Sequence, residues 1–115
     1  MEAARALEDL VEISPQIEAV AVLARDGEVK GSVGVPDGRA GVLAGAVREL
    51  LDGAAAFRSD DGRVTQLHAS LDDGDVFAVT DGDERTMVAV TRERVTPGLV
   101  FYDLKRCLAE VADAA

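Results

Sequence analysis

An antiparallel α+β fold is predicted by three features of this sequence. Apolar residues recur at helical spacing in three segments, short β-branched runs occupy five others, and Asp-Gly turns punctuate the runs. The order is α-β-β-α-β-β-β-α, two hairpin systems separated by a helix.

The first helix is read over residues 2 to 13, with Ala3, Leu7, Leu10 and Val11 on one side, Glu8, Asp9 and Glu12 on the other, and Pro15 as its stop. Ile17 to Ala24 is β-branched and nearly all apolar, as a central strand covered on both faces should be. Arg25-Asp26-Gly27-Glu28 then reverses the chain, with Asp-Gly favouring a type I′ turn. The returning strand, Val29 to Val35, carries Gly31 and Gly34, which weaken it as at an edge or a bulge. Asp37 is a candidate N-cap for a helix from about Arg39 to Phe57. Its apolar stripe, from Val42 to Ala55, is wider than one buried face requires, so the helix should touch two surfaces. Strands Val64 to Leu71, Val76 to Thr80 and Thr86 to Thr91 follow, separated by Asp72-Asp73-Gly74-Asp75 and Asp81-Gly82-Asp83-Glu84. Thr96-Pro97 opens a last helix to about Asp113, with Val100, Leu104, Cys107, Leu108 and Val111 along one side.

At 115 residues and 48% hydrophobic, the chain is read as one domain, residues 1 to 115, able to bury roughly two-thirds of the surface its unfolded form exposes. Its 22 acidic and 12 basic side chains give a net charge of −10. With a pI near 4.4 and 3% aromatic residues, a nucleic-acid binder is not expected, because phosphate needs a basic face and single strands need stacking platforms. No direct membrane insertion is expected either. No apolar run approaches the roughly 18 to 20 residues of a span, and an anionic lipid surface would repel the chain. The N-terminus lacks the basic and apolar regions of a signal peptide. One cysteine, Cys107, leaves no internal disulfide, so a reducing cytoplasm fits best.

No catalytic constellation is legible, and no catalytic, metal or cofactor-binding residue is assigned. The chain has no phosphate loop, dinucleotide fingerprint, nucleophile elbow or zinc-protease helix. The Gly-rich stretch from Gly31 to Gly38 has no lysine after its glycines and is better explained as a strand-to-helix turn. Asp72-Asp73-Gly74-Asp75 lacks the ligand alternation and distal glutamate of a calcium loop, so solvated turns explain the acidic segments. His68 reads as a polar strand residue or interface contact, and an enzyme would be favoured only if it faced a cleft with a carboxylate. Cys107 reads as core packing.

The strand Val64 to Leu71 stands out. Charged residues make up 30% of the chain, yet none lies between Arg63 and Asp72. In mid-sheet such neutrality is ordinary. At an edge it leaves unpaired backbone groups undefended, which invites a second copy across a two-fold axis. The wide stripe of the preceding helix favours the second reading, self-association.

The element order, the Asp26-Gly27 turn and the long middle helix before a meander resemble the roadblock/dynein light chain family over essentially the whole chain. The resemblance implies a five-stranded antiparallel sheet in the order 2-1-5-4-3, a profilin-like sandwich with one helix on one face and two on the other. It also implies a homodimer in which the third strands pair and the middle helices lie side by side. That maps the dimer interface onto Val42, Leu43, Ala46, Val47, Leu50 and Leu51 of the helix and Val64, Gln66 and His68 of the strand. Bacterial and archaeal members are often associated with small Ras-like GTPases. The Arg- and Ala-rich composition resembles actinobacterial members, which are sometimes encoded beside a sensor kinase and a GTPase. Lacking a phosphate loop, this chain would be the regulatory or scaffold partner and not the GTPase. The sheet order would also gather the turns at Asp26-Gly27, Asp60-Asp61-Gly62 and Asp81 to Glu84 into an acidic rim. A small-molecule sensory domain of profilin-like fold is the alternative function.

Overall fold

The computed structural model describes residues 3–36, 38–57, 64–81 and 85–114. Eight elements follow the expected order: α1 (Ala3–Ile13), β1 (Ile17–Ala24), β2 (Val29–Val33), α2 (Ala40–Ala55), β3 (Gln66–Leu71), β4 (Gly74–Thr80), β5 (Arg85–Thr91) and α3 (Pro97–Ala114). The strands form one antiparallel sheet in the order β2-β1-β5-β4-β3. This is the expected order, and it settles the position of the charge-free strand: β3 is an edge.

Alternation along the strands divides the core into two layers. On one face, Leu7 and Leu10 of α1 and Val100, Leu104, Cys107, Leu108 and Val111 of α3 pack on Val20, Val22, Phe77, Val79 and Met87. On the other face α2 lies alone, with Ala44 and Val47 on Leu23, Ala78 and Val88. The two-helix layer holds most of the large, fully buried side chains, each contributing roughly 1.5–3 kcal/mol. The α2 layer is thin by comparison.

Element limits differ from the sequence reading where glycine geometry intervenes. The second strand stops at Val33 and not Val35, because Gly34 turns the backbone to φ +80°, and a Cβ there would collide with the Glu18 carbonyl oxygen. The fourth strand starts at Gly74, two residues early. Gly74 pairs with Leu71, leaving Asp72 and Asp73 as the loop, and its backbone lies so close to the Thr91 carbonyl oxygen that no Cβ fits. The third strand begins at Gln66, although Val64 and Thr65 still bond to Thr80 through their carbonyl oxygens.

The first hairpin is not a type I′ turn. Only Gly27 has positive φ; its N–H donates to the Ala24 carbonyl, and the Ala24 N–H to that of Glu28. This is a three-residue loop with glycine at the left-handed position, further tied by the Glu28 N–H to the Asp26 carboxylate. Arg39 at the start of α2 is helical and makes no side-chain cap; the expected cap, Asp37, lies outside the described residues, as do Asp60-Asp61-Gly62 and Gly82 to Glu84.

Candidate protein interface

The edge strand presents a readable hydrogen-bonding face. Thr65 and Thr80 are opposite one another, and the Thr80 N–H donates to the Thr65 carbonyl at 3.1 Å, so this is a hydrogen-bonded pair. Bonded pairs alternate along an antiparallel ladder. Leu67, Ala69 and Leu71 therefore bond to β4, and the N–H and C=O groups of Gln66, His68 and Ser70 point away from the sheet. None of the residues from Val64 to Leu71 is Asp, Glu, Lys or Arg.

Side chains of the same strand divide between the two faces. Leu67 packs on the α2 layer. His68 lies on the opposite face, its ring stacked on Phe77 at 4.3 Å and 9°, with Phe101 edge-on to both. His68 Nε2 lies 2.7 Å from an Asp75 carboxylate oxygen. A carboxylate is thus present, as an enzymatic reading would need, but the imidazole is clamped between an aromatic ring and that carboxylate on a strand edge. Both of these partners, Phe77 and Asp75, belong to β4, so the contacts tie β3 to its neighbour.

The second component is α2. At 3.6 residues per turn, Val42, Ala46, Leu50, Gly53 and Phe57 fall within a sector of about 80° on one flank, with Arg48 and Asp52 outside it and Glu49 at its margin. The chain keeps turning past the helix end, where the Phe57 N–H donates to the Ala54 carbonyl. The flank is open to solvent, with Val42 62%, Leu50 48% and Phe57 89% exposed. A Cβ added at Gly41, Gly45 or Gly53 would meet nothing within 4 Å, so these glycines serve no packing inside the chain. At the N-terminal end of the same flank a groove of about 390 Å³ opens between Val42, Leu43 and Ala46 of the helix and Val35, Pro36 and Val90 below it.

The interface residues expected from the sequence are thereby sorted. Val42, Ala46 and Leu50 lie on the open flank. Val47 does not: it is fully buried against the sheet and is core within one chain, as the helical turn dictates when Ala44 and Val47 face inward. Leu43 and Leu51 are half-buried beside it. Val64 precedes β3, Gln66 is exposed on it, and His68 is held as described. Sequence reasoning missed Phe57 and the groove. Phe57 carries a signal, an aromatic in phase with Val42 and Leu50; the groove joins residues too far apart in sequence to leave one.

Of the expected acidic rim, the described part is the pairing of Ala24 with Arg85, which sets the Asp26 turn beside Asp81 at one end of the sheet. The Asp81 carboxylate accepts from the Arg85 N–H. Cys107 is buried between α1 and α3, with its thiol 3.5 Å from the Ala6 carbonyl, and burial, aided by Glu110 and Asp9, pushes the thiol up from 9.0 to about 11. At pH 8 this leaves roughly a hundredfold less thiolate than in the unfolded chain. Alkylation by iodoacetamide should be slower by about that factor in buffer than in urea; equal rates would show an accessible thiol. Among the described residues no group of three or more His, Cys, Asp or Glu could hold a metal ion, and no helix is long and apolar enough to cross a membrane.

An open 2-1-5-4-3 antiparallel sheet with one helix against two defines the profilin-like class of folds, and solved structures narrow it to the roadblock/LC7 type. The chain is similar to a roadblock/LC7 domain from Streptomyces avermitilis at a TM-score of 0.87 and 20% identity, covering 99% of this chain and 98% of that one. It is similar to an MglB with a tetrameric arrangement at 0.83 and 17% identity, over 96% and 85%. Acanthamoeba castellanii profilin IB matches at 0.65 and 16% identity, over 99% and 100%. No protein-family model matches the chain, and no curated protein does.

Proposed function

We propose that this chain is a non-enzymatic, dimeric regulatory or scaffold protein that binds a small Ras-like GTPase, with the paired α2 helices as the platform. The observations that carry the reading are an edge strand with no charged side chain of its own and, on the preceding helix, a solvent-open flank rich in apolar residues. A sheet edge of this kind is a template for another chain, and exposed apolar surface marks an interaction site. Two copies joined along β3 would continue the sheet and set one α2 beside the other. The likeness to roadblock/LC7 domains and to an MglB described in a tetrameric arrangement supports assembly. The GTPase is supported by the family that the sequence resembles.

The test is binding of purified Ras-like GTPases from the same genome, loaded with GTP or GDP analogues, measured by calorimetry. One of them should bind with a Kd in the micromolar range or tighter; failure of every candidate in both nucleotide states would overturn the GTPase part of the reading. The sensory alternative needs an enclosed cavity, whereas the groove along α2 is open to solvent.

A further inference from the structure

The free edge of β3 limits how a second copy can lie along it. Its outward N–H and C=O groups belong to Gln66, His68 and Ser70, so an antiparallel copy bonded through them sets even-numbered residues opposite even-numbered ones. Odd-numbered residues then meet in the closely spaced, non-bonded pairs, with Cα atoms about 4.5 Å apart. Leu67, Ala69 and Leu71 share the α2 face of the sheet by alternation, and Leu67 packs on the α2 layer. Leu71 is 57% exposed, because its neighbour across β4 is Gly74, which has no side chain to lay against it. Cover for Leu71 on the sheet can therefore come only from the free side of β3. Near full overlap, three registers satisfy the bonding rule, with Leu67, His68 or Ala69 on the two-fold axis. An axis on Leu67 leaves Leu71 past the start of the other β3, and one on His68 sets it opposite Thr65. An axis on Ala69 sets it opposite Leu67.

We propose that two copies pair along β3 with Ala69 on the two-fold axis, so that Leu71 of each closes against Leu67 of the other. The inference rests on the dimeric reading above and assigns its register. On the α2 face the row Leu67, Ala69, Leu71 then meets its own reverse, as an isologous contact requires, and cross-strand apolar pairs of this kind stabilise a sheet. The opposite face agrees. Ser70, a small hydroxyl, stands opposite His68, which leaves the imidazole on Phe77 and beside Asp75 as it is in one chain. An axis on His68 would instead set two imidazoles side by side. At either end Gln66 meets Asp72 of the other copy, an amide against a carboxylate, and the two Asp72 residues lie about 20 Å apart along the seam.

Single-cysteine variants of the full chain read the register directly. Under a mild oxidant Ala69→Cys should form a covalent dimer, because equal positions on the axis form a closely spaced pair within disulfide reach. Leu67→Cys and His68→Cys should not, since equal positions there are displaced by about 13 Å and about 7 Å along the strands, beyond that reach once the gap between strands is added. The buried Cys107 does not compete. In sedimentation equilibrium Leu71→Ala should raise the dimer Kd at least about tenfold, because two leucines per dimer are truncated. The urea midpoint of the monomer should hardly move, since that side chain is exposed in one chain. A cross-link at position 67 or 68, none at 69 in a chain that still dimerises, or a Leu71→Ala chain that associates as tightly as wild type would overturn the register while leaving the pairing of β3 standing. A wild-type chain that stays monomeric at every concentration would overturn both.

Discussion

Replacing Gln66 by proline is expected to convert a dimer of about twice 12.0 kDa into a monomer, read as a halved mass in light scattering. Gln66 is the first residue of β3 whose N–H and C=O point away from β4, as the alternation from the Thr65–Thr80 pair requires. Proline there removes no bond of the ladder within the chain, and prolines are tolerated on an edge strand when the missing N–H faces outward. Across a two-fold axis the same change removes a donor from both strands and sets a pyrrolidine ring in the path of each partner. Each lost bond costs about 0.5–1.5 kcal/mol, and any carbonyl left buried without a partner costs about 1–3 kcal/mol more. A dissociation constant raised by about a hundredfold or more follows. Leu67→Pro provides the contrast: it breaks a bond to β4 and should lower the urea midpoint of the monomer itself. A Gln66→Pro chain that remains dimeric would rule out pairing along β3.

Phe77→Ala should give the largest loss of stability. Phe77 is fully buried at the centre of β4, stacked on His68 on one side and edge-on to Phe101 of α3 on the other. Truncating a buried phenylalanine costs about 3–5 kcal/mol. That is a large share of the roughly 5–15 kcal/mol that holds a domain together. Urea unfolding should show the midpoint falling with little change in slope. The His68 imidazole would lose its platform along with the core, so β3 should become the most rapidly exchanging strand by amide hydrogen exchange. A loss under about 1 kcal/mol would show that the two-helix layer does not depend on this ring.

The sheet was legible because its punctuation is chemical. Asp-Gly pairs and the β-branched runs between them located all five strands, and the last helix was read with its inward residues Val100, Leu104, Cys107, Leu108 and Val111 as the structure has them. Strand ends were not legible where a glycine's role depends on what lies beside it. Gly34 reads as a weak strand residue and Gly74 as an ordinary turn residue until the Glu18 and Thr91 carbonyls against which they pack are seen. The interface was legible as a region and only partly as residues. An apolar stripe too wide for one face does not say which edge of it turns inward, so Val47 and Val42 were grouped although the helical turn sends one to the core and the other to solvent. The groove was beyond reach because Val35, Val42 and Val90 meet only through the sheet order.

The uneven division of the core has a dynamic consequence. The α1–α3 layer is anchored by large side chains across three central strands, whereas α2 is fastened mainly by Ala44 and Val47, with Leu43 and Leu51 half-buried beside them. A helix held by so little apolar area opens at a lower free energy than the rest of the molecule. In a free chain α2 therefore breathes while sheet and terminal helices persist, and any partner that covers its outer flank contributes part of the helix's own folding. In the proposed dimer, protein concentration would then act on the order of α2 itself, and a surface assembled from two such helices would reach its full shape only once the copies have met.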